Sequence, residues 1–195
     1  MSVLKEYVEG AVSTESVKGG LRVNREFLEN ILRMHIATGN ILDQVKKHAF
    51  YGREYDDMKI DGNLFAVIRS MEKLQGMTHD EISENEEPLI INPRIFHAIM
   101  GTATEAVELL EALDFDGNEM DYVNLGEEFG DLNWYQAIFC DASGIEWEHI
   151  LKVNADKLHK SNKARYKNGF SNEDANVRNL DAEREVLDNL KIETK

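Results

Sequence analysis

Residues 92–113 read NPRIFHAIMGTATEAVELLEAL, and residues 122–142 read YVNLGEEFGDLNWYQAIFCDA. In both stretches the apolar residues recur at spacings of three and four, which favours helices over strands. Asn92 followed by Pro93 is typical of a helix start, with the asparagine as the cap and the proline in the first turn. A turn is expected at 114–117. The first helix has an expected core stripe of five residues: Ile95, Ile99, Ala103, Val107 and Leu110.

The rest of the chain also reads as helix. Its only two prolines, Pro88 and Pro93, lie close together and interrupt an otherwise proline-free sequence. Four further helices are predicted, the last of them at the surface: 24–49, 62–75, 146–159 and 172–190. We therefore predict an all-α fold. It divides into a helical unit 1–90, a helical unit 91–171 and a C-terminal surface helix 172–195, although the three could equally form one compact domain.

The composition limits the possible functions. The 195 residues have a mass of 22.3 kDa and carry 22 Lys and Arg against 37 Asp and Glu, a net charge of −15. This balance argues against a nucleic-acid-binding protein, which needs a basic surface for the phosphate backbone. No apolar run approaches the roughly 18 residues that span a bilayer, and the N-terminus lacks a signal-peptide pattern. A cytoplasmic protein without a membrane partner is expected.

Four acidic residues stand at repeated helical spacing. Glu105 and Glu108 are three residues apart, and Glu128 and Asp131 repeat this spacing on the next predicted helix. One such pair alone is usually a solvated helix face. The second pair and the neighbouring apolar residues favour a shared, partly buried site, because packing of the two helices would then need a cation to balance the charges. Carboxylate oxygens suit Mg²⁺ or Mn²⁺ better than Zn²⁺.

These four acids, with GDLNWY at 130–135, resemble the motif of the MazG-like all-α nucleoside triphosphate pyrophosphohydrolases. Dimeric dUTPases and phosphoribosyl-ATP pyrophosphatases belong to the same superfamily. The resemblance covers roughly 97–187 and is nearest to phage-type members with a trailing charged helix. For a phage-encoded protein, the expected location is the host cytoplasm.

The resemblance implies Mg²⁺-dependent hydrolysis of a (deoxy)nucleoside triphosphate to the monophosphate and pyrophosphate. The four acids would hold the metal and serve as catalytic residues, one of the glutamates taking a proton from the attacking water. Asn154, Lys157 and Arg165 are candidates for contacts to sugar and phosphates, and Trp134 for stacking on the base. The alternative is that the two cations and Asn154 belong to polar helix surfaces and Trp134 to the core. Apolar stripes on the outer helices predict a homodimer or larger homo-oligomer.

One departure from the family pattern concerns positive charge. Members often carry lysines just after the first acidic pair, whereas this chain has Glu111-Ala-Leu-Asp114. This leaves the substrate preference open. A dUTPase-like specificity, hydrolysis of an alarmone, and a catalytically silent acidic interaction protein with the same fold are the alternatives.

The chain also contains an internal echo. Residues 35–39 (HIATG) and 97–101 (HAIMG) share His-x-x-x-Gly, either by chance or through duplication of a two-helix unit. Under duplication, a degenerate N-terminal unit would supply Lys46, Lys47 or Arg53 to the neighbouring site. Its acidic positions would have become Asp43, Lys46, Asn63 and Ala66.

Overall fold

The computed structural model describes residues 2–16, 22–84, 86–88, 90–113 and 120–190. The helices in these ranges are α1 (Val3–Thr14), α2 (Arg25–Tyr51), α3 (Asp57–Leu74), α4 (His79–Glu84), α5 (Pro93–Glu111), α6 (Tyr122–Ser143), α7 (Trp147–Ala155), α8 (Asn172–Asn176) and α9 (Leu180–Leu187). A π-helical turn, Asp156–Lys160, continues α7, and a 3₁₀ turn, Asp188–Leu190, follows α9.

The predicted all-α fold is confirmed, with 77% of the structure helical. Within the described ranges, β structure is limited to β1 (Arg22–Asn24) and β2 (Glu86–Pro88), which pair antiparallel with Arg22 opposite Pro88. Strands of three residues are too short to form an independently stable sheet. The described helices include none long and apolar enough to cross a membrane.

Side-chain caps fix several helix starts. The Asn92 side chain accepts hydrogen bonds from the backbone N–H of Arg94 and Ile95, as predicted for a helix beginning at Pro93. Asn24 caps α2 in the same way, accepting from the Phe27 N–H at 2.8 Å. These bonds satisfy backbone donors that the first helical turn leaves without partners.

Several predicted boundaries were wrong. The helix predicted at 62–75 begins at Asp57, because Asp56 caps it by accepting from the Lys59 N–H. The single helix predicted at 172–190 is divided into α8 and α9, and Asn179 caps the second piece. The turn predicted at 114–117 and residues 191–195 lie outside the described residues.

The buried face of α5 is made of small residues. Ala98 and Gly101 are buried, whereas Ile99, Val107 and Leu110 of the expected core stripe are exposed, so that stripe was largely wrong. Small residues let two helices approach closely, and here α5 meets α6 through them. A Cβ atom on Gly101 would lie 2.1 Å from Cε1 of Tyr135. The Tyr135 ring therefore occupies the space that a side chain at position 101 would need.

The N-terminal helix packs onto α6. The Tyr7 hydroxyl donates to the Gly130 carbonyl at 3.1 Å, and the Trp134 indole donates to the Thr14 hydroxyl at 3.0 Å. Just after α1, the buried carboxylate of Glu15 accepts from the Arg94 guanidinium at 2.6–3.1 Å. Arg94 also lies 2.7 Å from Asp141 at the far end of α6. These bonds hold α1 against α5 and α6, while the predicted domain boundaries stay a prediction.

The hairpin of α2 and α3 leaves much apolar surface exposed. The Asn40 amide donates to the Asn63 carbonyl oxygen across it at 3.2 Å. Its outer side carries a row of exposed residues one turn apart: Leu64, Ile68 and Met71. The chain exposes 14,023 Å², where a compact monomer of 22.3 kDa exposes about 9,400 Å². This chain therefore presents far more surface than a compact monomer does.

Gly101→Ala should destabilise the protein, because the new methyl group overlaps the Tyr135 ring. That ring is confined between the edges of His97 and Trp134, with ring centroids 5.4 and 5.0 Å away. We expect a loss of about 1–3 kcal/mol in the free energy of unfolding, measured by urea denaturation.

Gly126→Ala on α6 is the matched control, because nothing lies within 4 Å of a Cβ at that position. Removing a glycine from a helix interior should there raise the free energy of unfolding by about 0.5–1 kcal/mol. Equal stability of the two variants would contradict the close approach of α5 and α6.

Candidate metal centre

Three of the predicted acids meet between α5 and α6. Glu105 and Glu108 lie one turn apart on α5, and Glu128 faces them from α6. A carboxylate oxygen from each of the three lies within 4.8 Å of the others. Glu105 and Glu128 are buried, with 8% and 7% of their surface exposed, whereas Glu108 is open to solvent. The group therefore has a buried floor and one accessible carboxylate.

Burial and mutual repulsion raise the pKa values of the two buried glutamates. For Glu105 the largest cause is burial, followed by the charges of Glu108, Asp131 and Glu128. For Glu128 burial again comes first, followed by Glu108, Glu127 and Asp131. A hydrogen bond joins the two carboxyls, raising the pKa of Glu105 and lowering that of Glu128. Without a metal, both carboxyls therefore resist ionisation.

Asp131 lies at the margin of the group. It stands one turn after Glu128 on α6, is exposed, and acts on both buried glutamates through its charge. It does not belong to the set whose oxygens lie within 4.8 Å. Three of the four predicted acids are thus brought together, with the fourth beside them.

The arrangement fits a divalent cation. In the described part of the chain, these four acids form no ion pair with any Lys, Arg or His. Like charges this close oppose each other's ionisation, and a positive ion removes that opposition. The donors are all hard oxygens, which Mg²⁺ and Mn²⁺ prefer. The three glutamates are therefore close enough to hold a metal ion, whose identity this geometry leaves open.

Aromatic rings line one side of the carboxylates. The pKa of Tyr135 is raised by burial and then by the charges of Glu105, Asp131 and Glu108. His97 contacts the rings of both Tyr135 and Trp134 edge-on. Tyr135 is the last residue of the GDLNWY stretch that the sequence pointed to, one turn after Asp131. Gly101, one turn before Glu105, marks where that ring fits.

Trp134 is one of the predicted substrate-binding residues. Its indole N–H is engaged by Thr14 and its ring meets Tyr135 edge-on at 5.0 Å. These contacts give it a structural role between α1 and α6. Its stacking on a base stays a prediction.

The other predicted substrate-binding residues lie further along the chain. Asn154 is exposed on α7, and Lys157 is half-buried in the π-helical turn. Arg165 donates to both oxygens of buried Glu183 at 2.7–2.8 Å, and Arg178 pairs with the same carboxylate. None of the predicted three forms a hydrogen bond or ion pair with the four acids among the described residues. Their contact with substrate stays a prediction.

The lysines predicted to assist from the N-terminal unit have partners on their own helix. Lys46 lies 2.7 Å from Asp43, and Lys47 pairs with the same carboxylate. The backbone oxygen of Arg53 contacts the His48 ring. A contribution of these residues to the carboxylate site stays a prediction.

Compared with protein-family models, with curated proteins and with solved structures, the chain matches none. The geometry and charge of the site itself are therefore what bears on function.

The pH dependence of stability should reveal the two buried glutamates. EDTA keeps the site free of metal. Glu105 and Glu128 then bind protons more tightly in the folded chain than in the unfolded chain. Unfolding therefore releases protons at pH values above the ordinary carboxyl pKa of about 4.3. The free energy of unfolding should therefore fall as pH rises from about 5 through their raised pKa values. Carboxyls with lowered pKa, such as Glu183, act in the opposite direction but mainly below pH 4.5. Thermal melts across pH 5–7.5 measure the slope.

Two comparisons isolate the cause of that slope. Glu105→Gln should flatten it, and Glu111→Gln, an exposed site on the same helix, should not. At pH 7.5, Mg²⁺ at 100 times its Kd should add about 2.7 kcal/mol of stability to the unaltered chain. A melt indifferent to both pH and metal would remove the case for a metal centre.

Proposed function

We propose that this protein is a Mg²⁺-dependent hydrolase that converts (deoxy)nucleoside triphosphates to the monophosphate and pyrophosphate, as the MazG-like enzymes it resembles do. One observation carries the proposal. Two glutamates are buried beside a third with no positive residue paired to them in the described structure. Acids buried in this way attract a cation that balances their charge. Mg²⁺ is the ion that most often accompanies nucleotide phosphates.

The four acids would contribute to the metal site in different ways. Glu105 and Glu128, fixed by packing, would hold the metal, and Glu108 would reach it from the solvent side, with Asp131 adjoining. A bound Mg²⁺ would neutralise phosphate charge and lower the pKa of a water molecule. Among the chain's own groups, Glu105 and Glu128 are joined by a hydrogen bond, and burial raises the pKa of both. One glutamate of the cluster would take the proton of the attacking water.

The alternative of a catalytically silent acidic interaction protein has one observation in its favour. Arg165, one of the candidates for binding phosphate, donates to Glu183, and no cation in the described structure pairs with the four acids. An enzyme of this class needs positive charge on the outer phosphates beyond the metal. The alternative predicts metal binding without turnover, so an assay of activity separates the two.

Glu108→Gln should abolish release of pyrophosphate while the protein stays folded, because this carboxylate is exposed. Losing groups that merely support metal ligands costs about 10–100-fold, so losing a ligand should cost at least about 100-fold in kcat/KM. The assay measures pyrophosphate from the four common deoxynucleoside triphosphates, dUTP and a guanosine tetraphosphate alarmone, with Mg²⁺ or Mn²⁺.

Glu111→Gln, with the same change of charge on the same helix, should keep full activity. Preference for dUTP or for the alarmone would identify the corresponding specificity. No turnover of any of these compounds with either metal would favour the silent protein.

We also propose that the protein is a homodimer or a larger homo-oligomer. Support comes from the excess of exposed surface and from the row of Leu64, Ile68 and Met71, which are 46–57% exposed on α3. Apolar rows of this kind mark protein–protein contacts.

Light scattering coupled to size exclusion should give at least about twice the chain mass of 22.3 kDa. Ile68→Lys should lower the mass by placing a charge in the row. Val3→Lys, at an exposed apolar position on α1, should not change it. A monomer at all concentrations would contradict the proposal.

A further inference from the structure

A groove between α2 and α3 has the opposite charge from the rest of the molecule. Its volume is about 720 Å³, within the usual range for small-molecule sites. Three cations line it: Arg33 from α2, and Arg69 and Lys73 from α3. No carboxylate lines it among the described residues, although the chain has a net charge of −15. A basic groove in so acidic a protein is a specific feature of these two helices.

The two cations of α3 are free to bind an anion. Arg69 and Lys73 are four residues apart, so both point to the same side of the helix. Neither forms an ion pair or hydrogen bond within the part of the chain that the structure describes. Arg33 pairs with Glu29 of its own helix at the long distance of 3.9 Å. Their guanidinium and ammonium groups thus keep their hydrogen-bond donors for a ligand.

A serine whose hydroxyl makes no internal hydrogen bond in the described part of the chain lines the groove. Ser70 is 3% exposed, lies between Arg69 and the turn that carries Lys73, and has no hydrogen-bond partner among the described residues. A serine in a helix interior usually donates to the carbonyl four residues earlier, which would satisfy it. The Ser70 hydroxyl is therefore available to a ligand oxygen in the groove.

The remaining wall is apolar. Ile36 and Phe65 line the groove from opposite helices and are 60% and 67% exposed. An exposed aromatic ring beside cations suits a ligand with a flat base and a phosphate group, because the ring stacks on the base while the cations hold the oxygens. A simple inorganic anion would leave this part of the groove uncovered.

We propose that the α2–α3 groove binds a nucleoside phosphate through Arg69, Lys73 and Ser70, independently of the carboxylate centre on α5 and α6. Binding here needs no metal, because the protein's own cations neutralise the phosphate. This proposal goes beyond the proposed hydrolysis, because the groove would bind a nucleotide without hydrolysing it.

Calorimetric titration of the full chain in EDTA at low ionic strength tests this site. EDTA removes the metal that a triphosphate needs at the carboxylates. We expect dATP to bind once per chain and more tightly than inorganic tripolyphosphate. Arg69→Gln and Lys73→Gln should each weaken dATP binding about tenfold or more, because each removes charge-assisted hydrogen bonds.

Three further variants separate the groove from other effects. Lys59→Gln removes a charge from the same helix outside the groove, where Lys59 pairs with Asp56, and should leave binding unchanged. Ser70→Ala should weaken binding without lowering the melting temperature of the free protein, since this hydroxyl has no internal bond to lose. Glu108→Gln should keep groove binding even where it abolishes hydrolysis, so the two proposals fail separately.

Three results would overturn the proposal. One is the absence of binding heat with both dATP and tripolyphosphate. Another is equal affinity for the two compounds, which would leave an anion site without recognition of the nucleoside. The third is loss of the oligomer in Arg69→Gln with no anion binding, which would make the groove a contact between copies of the chain.

Discussion

Burial of Glu105 and Glu128 between two closely packed helices is the constraint on which the rest of the site depends. A carboxylate loses its hydration when it is buried, and a second carboxylate beside it adds repulsion. Both effects raise the pKa values of the two carboxyls in the metal-free chain, and a hydrogen bond joins them. A divalent ion would offset both costs with its two positive charges. The small residues Ala98 and Gly101 make this possible, because they let α5 and α6 approach until the facing carboxylates touch.

The sequence predicted the helices better than it predicted their faces. Asn92 and the three-residue spacing of the acids are local signals, and local signals fix where a helix starts and which side chains share a side. Ile99 and Leu110 show the limit of that reasoning, since both fit an apolar period and both are exposed. The period gives an angle around the helix axis but not the distance to the next helix. Here the short distance allowed by Gly101 selects a different face.

Partners far apart in the chain are what the sequence could not supply. Glu183, eighteen residues after Arg165, accepts from its guanidinium. Thr14, 120 residues before Trp134, accepts from its indole N–H. Neither pairing follows from spacing, because it depends on where α9 and α1 pack. The acids could be grouped from the sequence because they lie along two neighbouring helices, whereas the partners of these two residues lie elsewhere in the chain.

The α2–α3 and α5–α6 hairpins differ in how their carboxylates are neutralised. In the echo of the acidic motif, Asp43 stands where Glu105 stands later, and Lys46 and Lys47 donate to it on its own helix, holding its pKa below the ordinary value. A carboxylate neutralised within its helix has no need of a metal. Across the hairpin, Arg69 and Lys73 of α3 face a groove that no carboxylate lines among the described residues. Within the described structure, the groove thus has cations without acids, and the α5–α6 centre has acids without paired cations. An anionic ligand suits the groove and a metal ion the carboxylate centre, since each would supply the charge that its site lacks.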